Sequence, residues 1–263
     1  TSITWSNANG GQGTVDIPYT GNTPQCLANC LNKEITKRIL ISFNLNTPDY
    51  VVVSKNNFKE FNQQKKIKFP VITKLLNEDA SIGISENSVI YNKEIFKKQL
   101  EFLFDTYNKD VIVEEYIEGR EFNVAILDGK ILPISEIKFD SLPDDLPKIV
   151  TYEGKWMPES VYYKNTIPSC PAKINRTIKS ILEKTALSAF NALECRDYAR
   201  IDIRLSKEEI PYVIEVNPNP DISTDSGFFR AASAIGLTYA DMLYKIANCA
   251  IKRMKNDTQN KVI

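Results

Sequence analysis

ARIDIRLSKEEIPYVIEVN, residues 199–217, decides how the chain is read. Two runs within it alternate polar and apolar residues with the period of two that sends successive side chains to opposite faces of a strand. In the first run Arg200, Asp202 and Arg204 share one face and Ile201, Ile203 and Leu205 the other; in the second, Val213, Glu215 and Asn217 share a face. Closing the two as a hairpin through Ser206–Ile210, with Leu205 against Tyr212, sets Asp202 opposite Glu215 and Arg200 opposite Asn217. Like charges directly opposite destabilise a strand pair, and a hard divalent cation with oxygen ligands offsets them. Arg200, Asp202, Glu215 and Asn217 therefore read as a Mg²⁺ and phosphate site, against the competing reading of a solvated hairpin face.

Two upstream segments extend that reading. In FPVITKLLNEDASIGI (69–84) Lys74 interrupts an apolar strand, and a loop with Ser81 and Gly83 follows within ten residues, so a cation and free backbone N–H groups can converge on phosphate oxygens. It is not a Walker A sequence, and a snorkelling lysine beside an ordinary turn is the alternative. In VIVEEYIEGREFNVAIL (111–127) Glu114, Glu115, Glu118 and Glu121 cluster where the chain passes between strands, and such carboxylates bind ribose hydroxyls or an exocyclic amine, or else decorate a charged surface loop.

The rest of the pattern is α+β. Residues 1–16, rich in Gly, Asn, Thr and Ser, read as a loose leader. Thr23-Pro24 opens a helix whose apolar stripe is Leu27, Leu31, Ile35 and Ile39, with Lys33 and Lys37 off the stripe. DYVVVS (49–54) is a strand, and Lys93 to Tyr107 a helix with Phe96, Leu100, Leu103, Phe104 and Tyr107 on one side. From Val111 an antiparallel meander is expected, turning at Asp128-Gly129. Residues 138–170, with Pro143, Pro147, Pro158 and Pro168, form a long excursion of the kind that serves as a lid. A helix from Pro171 carries Ile174, Ile178, Ile181, Leu182, Ala189, Phe190 and Leu193, and Thr238-x-x-Asp241 starts the last helix.

Composition limits the chemistry. The 263 residues are 43% hydrophobic and 25% charged, which suits a globular chain with a sizeable core in one large domain or two joined ones. Thirty-three Lys and Arg balance thirty-three Asp and Glu, so no net field draws the chain onto nucleic acid or an anionic membrane. The longest apolar runs fall far short of the roughly 20 residues of a membrane span, and the opening TSITWSNANGGQGT has no secretory n- or h-region, so a cytoplasmic location is expected. Histidine is absent, which removes Ser-His-Asp and Cys-His mechanisms and His-ligated catalytic metals. Cys26, Cys30, Cys170, Cys195 and Cys249 are scattered and odd in number, as expected of reduced packing residues. Cys26 and Cys30 could share a helix face, but no further Cys lies near them in sequence, and no zinc site is expected.

Taken together and in this order, the segments resemble the ATP-grasp superfamily, and within it the D-alanine–D-alanine ligases, from about Ile17 to about Ala250. The resemblance implies an α+β fold in which two subdomains grip ATP between antiparallel sheets: residues 1–22 as a leader or remnant of an N-terminal subdomain that is otherwise nearly missing, 23–110 as a central subdomain and 111–255 as a C-terminal one. It implies that Lys33 and Lys74 contact ATP phosphates beneath a loop of Ser81, Ile82 and Gly83. It also implies that Glu114 and Tyr116, with the backbone from Glu114 through Glu115 to Ile117, hold adenine, that Glu121 holds ribose, and that Ile214 belongs to the nucleotide site. Lys155 matches the lysine of the family's mobile loop, with Trp156 in place of the usual tyrosine. By the same resemblance Asp202, Glu215 and Asn217 bind two Mg²⁺, with Mn²⁺ as a substitute, and Arg200, Lys155 and Ser81 are catalytic. Ser226, Gly227 and Asp221 fall where the second substrate sits.

Asn219-Pro220-Asp221 stands where the D-alanine ligases have Ser-Pro-Gly, and Asp79-Ala80 where they have Gly-Ser. The implied reaction is a carboxylate–amine ligation through an acyl-phosphate, on small amino acids or peptides. The alternatives are a nucleotide-binding module without ligase activity and an ATP-grasp phosphotransferase. Small molecules are the expected partners, with neither nucleic acid nor membrane, and a homodimer is left open.

Overall fold

The computed structural model describes residues 2–6, 12–16, 18–56, 58 and 68–260. Its smaller sheet is antiparallel and runs β3 (Tyr50–Val53), β6 (Val111–Glu115), β4 (Val71–Leu75), β5 (Val89–Ile90) across its width. One helix, α3 (Lys93–Tyr107), lies over it, capped by Asn92, whose Oδ1 accepts from the N–H groups of Glu94 and Ile95. The expected stripe is the buried one: Phe96, Leu100, Leu103 and Phe104 pack on Val71, Leu75, Val111 and Val113. Each such side chain, fully buried, contributes about 1.5–3 kcal/mol.

The larger sheet has the order β10 (Ile167–Ser169), β9 (Ser135–Lys138), β7 (Gly119–Leu127), β11 (Tyr198–Ser206), β12 (Pro211–Asn217), with β8 (Lys130–Ile131) also on β7. Its strand pairs are antiparallel. Ile201, Ile203 and Leu205 face α6 (Arg176–Ala192), which meets them with Ile178, Leu182, Ala186 and Ala189. Near the end of β7, Ala125 and Leu127 with Tyr198 pack on α7 (Gly227–Ser233) and α8 (Tyr239–Asn260) through Phe228, Met242 and Ile246. Thr238 and Asp241 bond reciprocally at the start of α8, as the sequence predicts.

Several expectations are corrected. The stretch read as one meander crosses between sheets: β6 pairs β3 and β4, whereas β7 pairs β9 and β11, so the passage from one sheet to the other falls at Tyr116–Glu118 rather than at 110/111. The first helix is two, α1 (Pro24–Leu31) and α2 (Lys33–Ser42), because Asn32 donates its N–H back to Ala28 and accepts from Ile35 N–H with its side chain. That break moves the buried face off the period-four stripe. Leu27, Leu31 and Ile35 remain about 40% exposed, and Cys26, Cys30, Lys37 and Leu40 go inside. Helix α6 starts at Arg176 rather than Pro171, where the Asn175 side chain caps Ile178 N–H. The leader carries a separate two-stranded sheet, β1 (Ser2–Ser6) on β2 (Gln12–Asp16), in which Ile3 and Trp5 alternate with polar residues. The excursion 138–170 contains α4 (Tyr152–Trp156), α5 (Val161–Asn165) and β10.

Candidate functional site

The β11–β12 ribbon positions the site. Arg200 pairs with Asn217 and Asp202 with Glu215, as read from the sequence; beyond them the register shifts by one, giving Ile203 with Val213 and Leu205 with Pro211. The extra residue is Ile214, a β-bulge that lets two consecutive side chains, Ile214 and Glu215, line one cleft while Val213 and Val216 both enter the core. Val213 therefore does not share the face of Glu215, contrary to strict alternation.

The cleft has a volume of about 490 Å³ and lies between the two sheets. Small-molecule sites of this size are common. It gathers Lys33, Lys74, Ser81, Ile82, Glu114, Glu115, Tyr116, Ile117, Glu121, Lys155, Arg200, Asp202, Ile214, Glu215 and Gly227, residues drawn from separated segments of the chain. Four predicted residues stand apart. Gly83 turns the loop at φ +76°, where a Cβ would come within 3.1 Å of Leu75 Cδ1. Asn217 sits on the ribbon with Oδ1 accepting from Asn219 N–H at 3.0 Å. Ser226 Oγ caps α7 by accepting from Phe229 N–H, and exposed Asp221 accepts from Ser223 N–H.

At the back of the cleft is a buried triad absent from the sequence reading. Glu114 accepts from Lys74 Nζ at 2.8 Å, and its other oxygen lies 3.3 Å from Lys37 Nζ, which in turn donates to Thr47 Oγ1 at 2.8 Å. Burial pushes the Glu114 carboxyl up, but Lys37 and Lys74 outweigh it and hold it below the usual carboxylate range. Burial also brings Lys37 down to about 8, against the pull of Glu114 and with the help of Lys74 and Lys33. Lys37 follows Lys33 by one helical turn, a spacing visible in the sequence although its burial is not.

A second buried pair, Arg204 and Glu121, stands between the Tyr116–Glu121 segment and the ribbon. Arg204 donates to Glu121 from Nε at 3.1 Å and from Nη2 at 2.9 Å, donates to Ile117 O at 3.0 Å and to Lys148 O, and stacks 5.2 Å from the Tyr116 ring. Arg200 grips Asp202 with two bonds of 2.7 Å, and Asn123 Nδ2 donates to Asp202 Oδ1 at 2.7 Å. Arg204 shares a strand face with both, and that alternation was the signal for it; Asn123 and Arg230, which also line the cleft, had none.

The two ribbon carboxylates part company electrostatically. Burial, above all, raises Asp202 despite Arg200, with Glu215 and Glu121 adding to it. Burial would raise Glu215 too, but the charges of Lys33, Lys155, Arg200 and Lys74 hold it low. Among the described residues no cation reaches ion-pair distance of Glu215. Two carboxylates set opposite each other on the ribbon, one of them without a cation at ion-pair distance, are an oxygen donor set that a hard divalent cation fits. The wall of Ile72, Leu75, Ile82, Ile117 and Ile214 beside a floor of lysines likewise suits a flat apolar ring joined to phosphates.

The excursion closes one side. Ser81 Oγ donates to Val150 O at 3.1 Å, Tyr152 N–H to Ile84 O at 2.9 Å, Trp156 Nε1 to Ala80 O at 3.2 Å and Tyr116 Oη to Lys148 O at 3.3 Å. These contacts bring Lys155 into the cleft, where its charge acts on Glu215 and Asp79.

Comparison with known proteins gives the family and the fold. The family described as the D-ala D-ala ligase C-terminus matches residues 39–248. A D-alanine–D-alanine ligase A of Bacillus cereus is 31% identical over 244 residues, covering 92% of this chain and 75% of that one. An uncharacterised protein of Sinorhizobium fredii is 30% identical over 240 residues, 90% of this chain and 67% of that one. The crystal structure of a D-alanine–D-alanine ligase from Bacillus anthracis complexed with ATP superposes with a TM-score of 0.72 at 28% identity, over 92% of this chain and 72% of that chain. Among the described residues no helix is long and apolar enough to cross a membrane.

Proposed function

We propose that this chain, which belongs to the D-alanine–D-alanine ligase family and has its ATP-grasp fold, is an ATP- and Mg²⁺-dependent carboxylate–amine ligase acting on small amino acids or peptides. The observation that carries the reading is the convergence of Lys33, Lys74, Lys155 and Arg200 with the opposed carboxylates Asp202 and Glu215 in one cleft.

Lys33, Lys74 and Lys155 neutralise the phosphates of ATP, and Ile82, Tyr116, Ile117 and Ile214 border its base. Asp202 and Glu215 would hold the metal, with Asn217, two residues beyond Glu215 on β12 and at the edge of the cleft, as a further oxygen donor; the metal would supply charge neutralisation on the transferring phosphoryl group. The lysines lower the repulsion between that phosphoryl group and an incoming substrate carboxylate; attack yields an acyl-phosphate and ADP. Arg200, oriented by its two bonds to Asp202, steadies the acyl-phosphate and the tetrahedral species formed when an amine attacks it and expels phosphate. Residues 138–170 keep water from the acyl-phosphate. Gly227, with Ser226 behind it, borders the amine substrate, and Asp221 lies outside the cleft where it biases what approaches.

The test is phosphate release screened over D- and L-amino acids and dipeptides, with the amide product identified by mass spectrometry. Amino-acid-dependent ADP and phosphate release with amide formation supports the ligase. ATP binding without turnover supports a nucleotide-binding module instead, and a phosphorylated end product supports a phosphotransferase. Arg200→Ala should lower kcat by 10²-fold or more, on the order expected of one lost charge-stabilising group, while leaving ATP affinity within a few-fold. Lys74→Ala should weaken ATP binding, and the reverse pattern would contradict these roles.

A further inference from the structure

Cys26, Cys30 and Cys195 meet in the core behind the ribbon, all buried, with their three Sγ atoms within 4.8 Å of one another. Cys26 and Cys30 lie one turn apart on the inner face of α1, and Cys195 comes from the segment joining α6 to β11, 169 residues from Cys26. Folding therefore supplies the third thiol that sequence spacing lacks.

We propose that this cluster is a metal site for one soft, thiophilic d¹⁰ cation, Zn²⁺ or Cu⁺, separate from the cleft. Thiolate sets select such ions. A metal–sulfur bond of about 2.3 Å implies sulfurs about 3.8–4.0 Å apart in tetrahedral or trigonal geometry. Cys26 Sγ and Cys195 Sγ are 3.6 Å apart, slightly inside that span, and no pair of the three exceeds 4.8 Å, so a bound ion requires shifts of no more than about 1 Å. A disulfide would need about 2.05 Å and would leave the third thiol out.

The surroundings are built to hold the three sulfurs in place. Asn22, itself buried, accepts from Arg196 N–H at 2.7 Å and donates its amide to Tyr198 O and Pro218 O, which fixes the segment after Cys195 beside the start of α1; the Cys26 thiol, which donates to Asn22 Oδ1 at 3.5 Å, gives up that bond when it binds the ion. Cys195 N–H donates to Phe190 O at 2.9 Å. Charge is provided for as well. Three thiols that lose their protons to solvent as they bind Zn²⁺ leave a net charge of −1. Arg196, next to Cys195 in the chain, brings a positive charge whose Nη2 is buried without a hydrogen-bond partner among the described residues. Cys195 lies three residues before β11, so a bound ion would tie α1 to the segment that leads into the strand carrying Arg200 and Asp202.

The chain, purified anaerobically in reductant and stripped with EDTA, is titrated with Zn²⁺ against a colorimetric chelator, and separately with Cu⁺ against a Cu⁺-specific one. One equivalent of one of the two ions should be retained, at least tenfold more tightly than by Cys26→Ser or Cys195→Ser. Cys170→Ser, Cys249→Ser and the cleft variant Asp202→Asn should keep it. X-ray absorption at the metal edge should find three sulfur neighbours. Because a cluster variant can fail to fold, alkylation of the wild type in urea just below its unfolding transition, where the buried thiols become reachable, gives an independent readout: the ion should slow modification of Cys26, Cys30 and Cys195. Retention of no metal, a shell of oxygen and nitrogen only, unchanged alkylation, or loss of the ion in Asp202→Asn would each overturn the proposal.

Discussion

Glu114 and its two lysines hold the most consequential charges at the residue scale. Removing one partner of a buried ion pair costs about 3–5 kcal/mol, because the other charge stays buried without compensation. Glu114→Gln leaves Lys37 and Lys74 facing each other and should destabilise the chain by about that amount in urea unfolding at pH 7. Its pH signature has a definite sign. Glu114 is held below its unfolded value near 4.5, so its stabilisation is fully present above that pH and is lost as pH falls through the folded value. The acid limb of stability should accordingly be shallower in Glu114→Gln than in the wild type. Lys37 is also depressed, to about 8 from 10.5, so the unfolded chain binds more protons between these values and wild-type stability should rise with pH across that window. A Lys37→Met variant should lack that increment; an equal slope in both proteins would contradict the assignment.

Strand geometry sets the next scale. The bulge at Ile214 turns two neighbours of β12 to one cleft, and without it a shift of one residue would send Glu215 to the core side. The start of β7 is as tightly specified: Gly119 has φ +158°, and a Cβ there would lie 1.9 Å from Leu205 O on β11. No rotamer change relieves a clash with backbone, so Gly119→Ala should force the two strands apart and cost about 2 kcal/mol or more. Thermal unfolding measures the loss, and because Arg204, Asp202 and Arg200 follow on β11, ATP affinity should fall with it.

At the scale of the whole molecule, the two larger sheets flank a cleft that is closed by the 138–170 segment through its contacts with residues 80–84. A net hydrogen bond is worth about 0.5–1.5 kcal/mol, so Trp156→Phe, which removes the bond to Ala80 O, should raise the open population by roughly two- to tenfold. Limited proteolysis within residues 150–165 reads this directly, and unchanged cleavage would show that Trp156 does not latch the segment. A non-hydrolysable ATP analogue should slow amide hydrogen exchange in residues 79–84 and 148–156 together, since the two segments bond to each other across the cleft mouth.

Local periodicity determined much by itself. The faces of β11, the pairing of Asp202 with Glu215, the buried stripe of α3 and the caps at Thr23 and Thr238 all follow from spacings of two or four residues and from short-range hydrogen bonds. The resemblance of separated motifs to the ligase family added the fold. What it left open depends on contacts between segments far apart in the chain. The one-residue bulge trades a ladder bond for two cleft-facing side chains. The break at Asn32 buries Lys37 and exposes Leu27, and only the partner Glu114, 77 positions away by residue number, makes that burial tolerable. Cys195 joins Cys26 and Cys30 for the same reason: packing energy is summed over neighbours in space, and no window along the chain contains them.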